Sequence, residues 1–314
     1  MRTPLLSPFR KTRPRSEPRI LSAGVSDNLC GTLLMMLSMA AFTCNDAVMK
    51  VVTQTMPIYE SVALRGVIIL ILMLALAQTQ PGGMRLAVSR HDLPLLLLRS
   101  LADVVSTLLY LIALRQMALA DISAIMQALP LAVTLAAAVM FRERLGPRRL
   151  AAIGVGFLGV LLILRPGSGA FDQWSLIALA SMLLIVVRDM TTRCFSMALG
   201  SSTIAFYAAL SVALSGFAMA VDEIWRWPTP GEWGLLLLSS LFLTVGYISA
   251  IATMRVGEIS FVAPFRYTSL LWAIVLGLLL FGDWPDAWTW AGSALVVGAG
   301  LYTILRERQL GKMT

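Results

Sequence analysis

The sequence predicts an all-α membrane protein with ten transmembrane helices, arranged as two inverted repeats of five helices each. The first observation is composition. Of the 314 residues, 58% are hydrophobic and only 13% are charged, whereas soluble globular chains carry about 25% charged residues. The second is that the hydrophobic residues form ten separate runs, each near the ~20 residues that span a bilayer as a helix. The third is that the second half of the chain repeats features of the first.

Hydropathy and run length place ten helices between short polar segments. Several runs contain no charged residue, such as 122–141 and 233–254. Charges interrupt the third and sixth runs, which still count as spans because lipid requires every backbone polar group to be bonded within a helix. The predicted spans are 29–50, 58–79, 93–116, 121–141, 148–165, 174–193, 203–221, 233–254, 259–281 and 287–305.

The distribution of Lys and Arg predicts which side of the membrane each loop faces. With the N-terminus in the cytoplasm, seventeen Lys and Arg residues fall in cytoplasmic segments and four in outer segments. Cytoplasmic loops are enriched in these residues, so this bias predicts that both chain ends are cytoplasmic. Residues 1–28 are basic and Pro-rich, and we expect a disordered cytoplasmic tail; binding to anionic lipid headgroups is the alternative. Residues 307–314 form a second cytoplasmic tail.

Composition also argues against nucleic-acid binding, metal binding and catalysis. The net charge of +8 lies in short segments between apolar runs, where it orients helices instead of forming a basic face. Cys30 and Cys44 lie roughly 20 Å apart on one predicted helix, too far for a disulfide. With His91 as the single histidine, no metal site can be assembled from His and Cys. Common catalytic motifs are absent from the sequence, so we expect no enzyme activity and no cofactor.

Two stretches of the sequence match each other near the start of each half. The pattern of residues 38–50 is repeated at residues 181–193, where a Ser-Met pair, an Asp and a final basic residue recur at the same spacing. The matched positions are Ser38 with Ser181, Asp46 with Asp189, and Lys50 with Arg193. The repeated pattern predicts that each half opens with a helix carrying a buried acid.

Further matches extend the repeat along both halves. Asp121-Ile-Ser corresponds to Glu258-Ile-Ser, and Phe141-Arg-Glu corresponds to Phe281-Gly-Asp. A glycine-rich helix closes each half, which favours close helix approach within the chain or between subunits. The sequence offsets between the copies are 143, 137 and 140 residues. Because each copy has an odd number of spans, the second copy is inverted in the membrane.

Seven ionisable residues within the predicted spans are the candidates for function, because a charge inside the bilayer costs at least about 2.5 kcal/mol unless it is paired or hydrated. Asp46 and Arg65 lie at similar depth near the outer face. Asp189 and Arg266 lie at similar depth near the inner face. We interpret these four residues as two ion pairs at opposite mouths of one cavity, and the alternative is that they only fix helix packing. The remaining three are Arg99, Asp103 and Arg188.

Asp103 near the middle of the third span has two interpretations. Burial disfavours a charged carboxylate, so Asp103 could exchange protons and couple transport to the proton gradient. The alternative is an ion pair within the helix, because Arg99 lies one turn earlier.

Prolines interrupt the fourth and ninth spans at corresponding places, Pro130 and Pro264. Kinked helices in matching positions of two halves indicate a substrate site, although prolines are also common in membrane helices. The candidates beside the kinks are Gln127, Phe265, Arg266 and Tyr267. Aromatic side chains could stack on a planar ligand there, or pack against lipid and other helices. The aromatic candidates are Phe42, Tyr110, Tyr207, Tyr247, Phe261, Phe265 and Tyr267.

Five segments of the sequence are similar to a known family, and they are 119–130, 141–146, 154–167, 257–267 and 281–285. They resemble the EamA-type domain of the drug/metabolite transporter superfamily, which would occur twice in this chain. The resemblance covers two such domains, 29–166 and 174–306. It implies a ten-helix carrier with a central cavity between the halves, and helices five and ten at the periphery. Asp283 stands where the family more often has Glu.

The resemblance implies a secondary transporter of a small organic metabolite that works by alternating access in the bacterial inner membrane. The sequence is similar in overall appearance to the bacterial riboflavin importers of this family, so riboflavin uptake is the leading substrate prediction. A flavin would suit an aromatic cavity with amide partners such as Asn45 and Gln127. Export or exchange of amino acids or S-adenosylmethionine-like metabolites is the alternative. A membrane receptor or scaffold that binds a metabolite without moving it is the rival class. The expected partners are a small metabolite and the lipid bilayer, and no nucleic acid is expected. The sequence leaves two alternatives for the oligomeric state, a monomer or a homodimer.

Overall fold

The structure is a computed structural model in which every regular element among the described residues is helical. Most of the basic tail predicted for residues 1–28 lies outside the described residues, as does Glu258 of the sequence repeat. The structure describes residues 25–78, 86–142, 146–165, 173–196, 199–222, 225–256 and 259–311.

Each half of the chain contributes six helices. The first half contains α1 (Val25–Thr55), α2 (Ile58–Gln78), α3 (Asp92–Gln116), α4 (Leu119–Met126), α5 (Leu129–Phe141) and α6 (Pro147–Leu164). The second half contains α7 (Gln173–Arg193), α8 (Ser201–Met219), α9 (Pro230–Val256), α10 (Ile259–Val262), α11 (Thr268–Leu276) and α12 (Ala287–Gly311).

These helices confirm the all-α membrane class and form a multi-pass membrane protein. Within the described residues, nine helical segments are long and apolar enough to cross a bilayer, and Thr203–Met219 is a shorter apolar helix. Two predicted ends need correction. The first helix runs on to Thr55 instead of ending at residue 50, and the last continues to Gly311 instead of ending at residue 305.

Both predicted proline kinks are breaks in a helix. Pro130 occupies the first turn of α5, directly after the break that separates α4 from α5. Pro264 lies in the 3-10 turn Ala263–Tyr267, which joins α10 to α11. Because proline has no N–H and its ring displaces the preceding turn, it starts a helical segment well and continues one poorly. The two interrupted spans are α4–α5 and α10–α11, and they contact each other through α4 and α11.

The helix contacts occur in symmetry-related pairs. The helix α1 packs along α9, and its counterpart α7 packs along α3. Likewise α1 packs against α11, and α7 packs against α5. The contacts between α2 and α8 and between α6 and α12 each join a helix to its own counterpart. Two repeats related by a pseudo-two-fold axis exchange partners in this way, which confirms the inverted repeat.

Polar side chains fasten α1 to α9, the first of two tightly packed helix pairs. The Ser38 hydroxyl donates to the Gly246 carbonyl at 2.8 Å. At one end of the pair, Arg226 donates to the Thr55 carbonyl and binds the carboxylate of Glu232. Hydrogen bonds of this kind replace bonds to water inside a bilayer. We call α1 with α9 the first helix pair.

The pair formed by α3 and α7 is fastened in the same manner. The Ser181 hydroxyl donates to the Ser106 carbonyl at 2.8 Å. The carboxylate of Asp92 accepts from the backbone N–H and the hydroxyl of Ser196. We call α3 with α7 the second helix pair, and the central space lies between these two pairs.

Small residues bring the peripheral helices close together. A Cβ atom built on Gly159 of α6 would lie 2.6 Å from the Gly292 carbonyl oxygen of α12. A Cβ on Gly66 of α2 would lie 2.6 Å from the Ala213 Cβ of α8. Glycine therefore permits backbone approach within this chain at both contacts. The outward faces carry exposed leucines, such as Leu97, and an exposed Trp227, as expected beside lipid and at its interface.

Candidate functional site

Polar side chains from both helix pairs face the space between them. On α1, the Asp46 carboxylate accepts a hydrogen bond from the Tyr110 hydroxyl of α3 at 2.8 Å and another from the Asn45 amide at 3.0 Å. Arg65 of α2 lies within electrostatic range of Asp46. Asp46, Tyr110 and Arg65 are surrounded by protein, yet each keeps some accessible surface, which indicates a space between the helices.

The predicted direct ion pair between Asp46 and Arg65 is wrong in this conformation. Tyr110 and Asn45 occupy the hydrogen-bonding positions of the Asp46 carboxylate, and the described ion pairs do not join Asp46 to Arg65. The Nε atom of Arg65 is buried and has no hydrogen-bond partner. Sequence spacing placed both residues at one depth, but it could not show that Tyr110 of α3 would donate to the Asp46 carboxylate.

Arg188 organises the charges on the other side of the space. Its guanidinium donates to Asp103 of α3 at 3.1 Å and to the neighbouring Asp189 at 3.0 Å. Arg99 approaches the other Asp103 oxygen at 3.8 Å and donates to the Thr192 hydroxyl at 3.0 Å. One guanidinium thus links two carboxylates from different halves of the chain. We call Arg99, Asp103, Arg188 and Asp189 the Arg188 cluster.

The predicted pair of Asp189 with Arg266 is also wrong. Asp189 pairs with Arg188, whereas Arg266 is exposed in the 3-10 turn between α10 and α11. Asp189 thus bonds to its own neighbour in α7. The helix-internal alternative weighed for Asp103 is present, because Arg99 pairs with it one turn away, and Arg188 adds a second cation. A proton-coupling role for Asp103 stays a prediction.

Tyr247 of α9 connects the two groups of charges. Its hydroxyl lies within electrostatic range of Arg65, Arg99 and Arg188. Its ring packs edge-on against Phe42 of α1, with ring centroids 5.3 Å apart, and 56% of the residue surface is exposed. Arg65 and the Arg188 cluster therefore border one continuous space beside Tyr247.

The helix breaks contribute unequally to this site. Gln127, at the break between α4 and α5, donates to the Ser269 hydroxyl at the start of α11 and so joins the two interrupted spans. Phe265 is half-buried against Phe261, with ring centroids 6.3 Å apart. The prediction that Tyr267 lines the substrate site is wrong. Its side chain is buried, with the hydroxyl against Gly300 of α12. A glycine at 300 leaves room for that ring.

A second group of residues, missed as a site by the sequence analysis, joins the two halves of the chain near the end of α1. The Lys50 ammonium donates to the Met117 carbonyl, lies 3.5 Å from the Asp283 carboxylate and sits 4.7 Å from the centroid of the Phe281 ring. Nearby, Thr289 donates to Asp121 at 2.9 Å. We call Lys50, Met117, Phe281 and Asp283 the Lys50 latch. The repeat already marked Lys50 and Phe281, but it gave no sign that they meet.

The site can bind charged groups of both signs. Three carboxylates and three guanidinium groups border the space: Asp46, Asp103, Asp189, Arg65, Arg99 and Arg188. The described part of the chain contains no group of three His, Cys, Asp or Glu side chains that could hold a metal ion.

The inverted repeats and the charged space between them define the protein as a two-repeat membrane transporter. The sequence profile of the EamA-like transporter family matches residues 29–165 and again residues 173–305. The chain therefore belongs to the EamA-like transporter family and carries two copies of its domain. A solved crystal structure superimposes with a TM-score of 0.61 at 20% sequence identity, covering 89% of this chain and 98% of that chain.

Named relatives differ in substrate. The chain is 27% identical to the pseudopaline exporter CntI of Pseudomonas aeruginosa over 86% of this chain and 94% of that protein. It is 27% identical to a riboflavin transporter of Rhizobium johnstonii over 57% of this chain and 59% of that protein. It is 23% identical to an S-adenosylmethionine uptake transporter of Rickettsia prowazekii over 58% of this chain and 62% of that protein.

Proposed function

We propose that this protein is a secondary transporter that carries a small zwitterionic metabolite across the bacterial inner membrane by alternating access. Family membership and the two inverted repeats support transport. The bacterial relatives and the bias of Lys and Arg support an inner-membrane location with both chain ends in the cytoplasm.

Two buried guanidinium donors without a hydrogen bond carry the proposal for the substrate. Among the described residues, Arg65 Nε has no hydrogen-bond partner, and Arg99 Nη1 has none either, although the Asp103 carboxylate lies 3.8 Å from it. A buried donor without an acceptor costs about 1–3 kcal/mol, so a chain keeps such donors where a ligand supplies the acceptor. Guanidinium groups bind carboxylates and phosphates with two parallel bonds. We therefore expect the substrate to carry an anionic group that binds between Arg65 and Arg99.

The acidic residues of the space could bind the cationic end of a zwitterionic substrate. Asp189 keeps an accessible carboxylate on the same space, with 36% of its side chain exposed. A protonated amine on the substrate would pair with Asp189 while its anionic end pairs with the arginines. The carboxylates and guanidinium groups of the space are equal in number, so a ligand of zero net charge enters without unbalancing them. Amino acids and related metabolites have this chemistry.

Riboflavin, the leading substrate prediction from the sequence, becomes the second candidate. Three relatives are named riboflavin transporters, although each alignment covers only part of the chain. The Phe42 and Tyr247 rings could stack on a flavin. Its ring system would leave the Arg65 and Arg99 donors without a charged acceptor, and for this reason we place it second.

Binding can be tested by thermal-shift screening of the purified protein against amino-acid-derived zwitterions, with riboflavin as a separate arm. A ligand at a hundredfold its dissociation constant stabilises by about 2.7 kcal/mol. The conservative variant Arg65→Lys should keep some stabilisation, whereas Arg65→Met should lose it. Stabilisation by riboflavin alone would overturn the zwitterion proposal.

Transport is tested separately with the ligand found in that screen. Proteoliposomes preloaded with unlabelled ligand should accumulate radiolabelled ligand by counterflow. Arg65→Met should abolish counterflow, while Tyr302→Phe, on the peripheral helix α12, should retain it. Binding without counterflow would identify a receptor or scaffold and contradict the transport proposal.

A further inference from the structure

Two of the three carboxylates that border the central space are held by guanidinium groups. Asp103 accepts a hydrogen bond from Arg188 at 3.1 Å and lies 3.8 Å from Arg99. Asp189 accepts from the same Arg188 at 3.0 Å. A guanidinium group can only donate hydrogen bonds, and it keeps its positive charge at physiological pH. These contacts therefore favour the ionised form of both acids.

The third carboxylate, Asp46, has neutral hydrogen-bond partners instead. The Tyr110 hydroxyl donates to one oxygen at 2.8 Å, and the Asn45 amide donates to the other at 3.0 Å. In the part of the chain that the structure describes, no ion pair within 4 Å includes Asp46. Arg65 of α2 acts on Asp46 through its charge, without a hydrogen bond.

We propose that Asp46 is the proton-binding group of the transporter, and that the proton and the substrate are carried together. Asn45 and Tyr110 act as positioning residues for this proton. The joint transport rests on the proposed function, whereas the proton site depends only on the partners of Asp46. Asp103, considered as a proton site from the sequence, is less suitable because two guanidinium groups approach it.

Both partners of Asp46 can serve the ionised and the protonated carboxyl group. A hydroxyl group can donate or accept, and an amide presents a donor on one side and an acceptor on the other. The Asn45 Oδ1 atom is buried and has no hydrogen-bond partner among the described residues. Rotation of that amide would present Oδ1 to a protonated Asp46. The carboxyl group can therefore gain or lose a proton without leaving a buried donor unpaired.

The two repeats differ at the residue beside the acid. Asp46 and Asp189 are equivalent, at the offset of 143 residues found for the opening helices. At the same offset, Asn45 corresponds to Arg188. The first repeat therefore places a neutral amide beside its acid, and the second places a permanent cation there. This difference separates an acid that can exchange a proton from one whose charge is held.

Few other ionisable groups act on Asp46. Tyr110 from α3 and Arg65 from α2 are the ones on other helices that affect it. On α1 itself, the Cys44 thiol lies within electrostatic range, and Lys50 is engaged in the Lys50 latch. Helices α10 and α11 contain no ionisable residue. The remaining elements packed against α1 contribute Tyr247, which acts on Arg65, the exposed Arg266, and Tyr267, which is buried against α12.

Arg65 connects the proton to the substrate. Protonation of Asp46 removes a negative charge that acts on Arg65, and the anionic group of the substrate would replace that charge. Conversely, an anionic group bound at Arg65 places a second negative charge near Asp46, which favours the protonated carboxyl. Each ligand therefore strengthens binding of the other by the same factor. Such coupling carries a proton and the substrate in the same direction.

Infrared difference spectroscopy can detect the proton without any substrate. The purified protein in lipid is compared between alkaline pH and pH values above about 5, where exposed carboxyl groups remain ionised. The parent should gain the C=O stretch of a protonated carboxylic acid. Asp46→Asn should lack this band, whereas Asp103→Asn and Asp189→Asn should keep it. A band that persists in Asp46→Asn, or its absence from the folded parent, would overturn the proton site.

Variants of the two positioning residues keep the carboxyl group and give a second test if Asp46→Asn does not fold. Tyr110→Phe should move the midpoint of the titration to higher pH, because the lost hydrogen bond favours the ionised form. Asn45→Leu should shift the frequency of the C=O stretch, because the protonated acid loses its acceptor. Tyr302→Phe is the control and should change neither quantity. An unchanged spectrum and midpoint in both variants would contradict the assignment.

Coupling to the substrate is measured with the amino-acid zwitterion that gives the largest thermal shift. Its dissociation constant for the parent should fall as the pH is lowered, by up to about tenfold per pH unit for one coupled proton. For Asp46→Asn the dissociation constant should not depend on pH, and Tyr302→Phe should behave as the parent. The infrared band together with pH-independent binding to the parent would reject the coupling alone. If no zwitterion binds, the proposed function fails, and the infrared result on Asp46 still decides the proton site.

Discussion

Lys50 of α1 and Asp283, the residue that follows α11 and Gly282, form an ion pair 3.5 Å apart between the two halves of the chain. The Lys50 side chain is buried, which is unusual for lysine and requires several partners at once. The Met117 carbonyl and the Phe281 ring supply the others. The contact joins the end of α1 to the turn before α12 and so links the two halves of the chain.

We expect the Lys50 latch to show strong coupling between its members. Lys50→Met and Asp283→Asn should each lower the melting temperature, Lys50→Met more so because it also loses the contacts with Met117 and Phe281. The double variant should lose less than the sum of the singles, with a coupling energy of about 1 kcal/mol. Asp27→Asn, at the other end of α1, should be additive with Lys50→Met. Additivity of Lys50→Met with Asp283→Asn would contradict the latch.

Arg188 should be the most sensitive residue of its cluster. Arg188→Met leaves Asp103 and Asp189 without their shared guanidinium, and removing one partner of a buried pair costs about 3–5 kcal/mol when burial is complete. Arg188 is partly exposed, so we expect a smaller loss of unfolding free energy. Adding Asp103→Asn should restore part of the stability, because one uncompensated carboxylate disappears. A double variant less stable than Arg188→Met would refute this assignment.

The contact between α6 and α12 predicts a difference between two glycines of one helix. In Gly159→Ala, the new methyl group would meet the Gly292 carbonyl oxygen at 2.6 Å, so the helices must separate. We expect a loss of about 1–3 kcal/mol from overpacking. In Gly154→Ala the methyl group meets nothing within 4 Å, and stability should hold or rise slightly. Equal melting temperatures for the two variants would argue against the close approach.

Asp92, at the start of α3, should contribute more to stability than a helix-capping residue alone would. Its carboxylate accepts from Ser196 and from Ser89, and so fixes the start of α3 to the end of α7. Asp92→Asn should lower the melting temperature, because an amide accepts these bonds more weakly than a carboxylate. Ser196→Ala removes only the hydroxyl and keeps the backbone donor, so its effect should be smaller. A larger effect of Ser196→Ala would reverse this order of importance.

Topology mapping would test the predicted orientation. Fusions of a cytoplasmic fluorescent reporter after Thr314 should fluoresce, because the bias of Lys and Arg places that end inside. A periplasmic reporter inserted in the loop 225–229 should be active on the opposite side. Activity of the periplasmic reporter at the C-terminus would invert the orientation and exchange the inner and outer mouths of the transporter.

The membrane helices were predictable because hydropathy is local and each span must bury its own backbone. The repeat was predictable for a similar reason, since matched residues such as Asp46 and Asp189 keep their spacing along the chain. Both prolines also marked true helix breaks. The partners of Asp46 and Asp189 were not predictable. Spacing gives the depth of a charge in the membrane, whereas its partner depends on how far each helix is rotated and slid.

The sequence by itself determined the membrane class, the ten spans and the two-fold repeat, because each depends on composition and on the order of residues along the chain. Only the tertiary structure decided that Tyr110 binds Asp46, that Arg188 links Asp103 with Asp189, and that Lys50 is buried beside Phe281. Each of these contacts joins residues far apart in the chain, and they meet only once the helices have packed against one another.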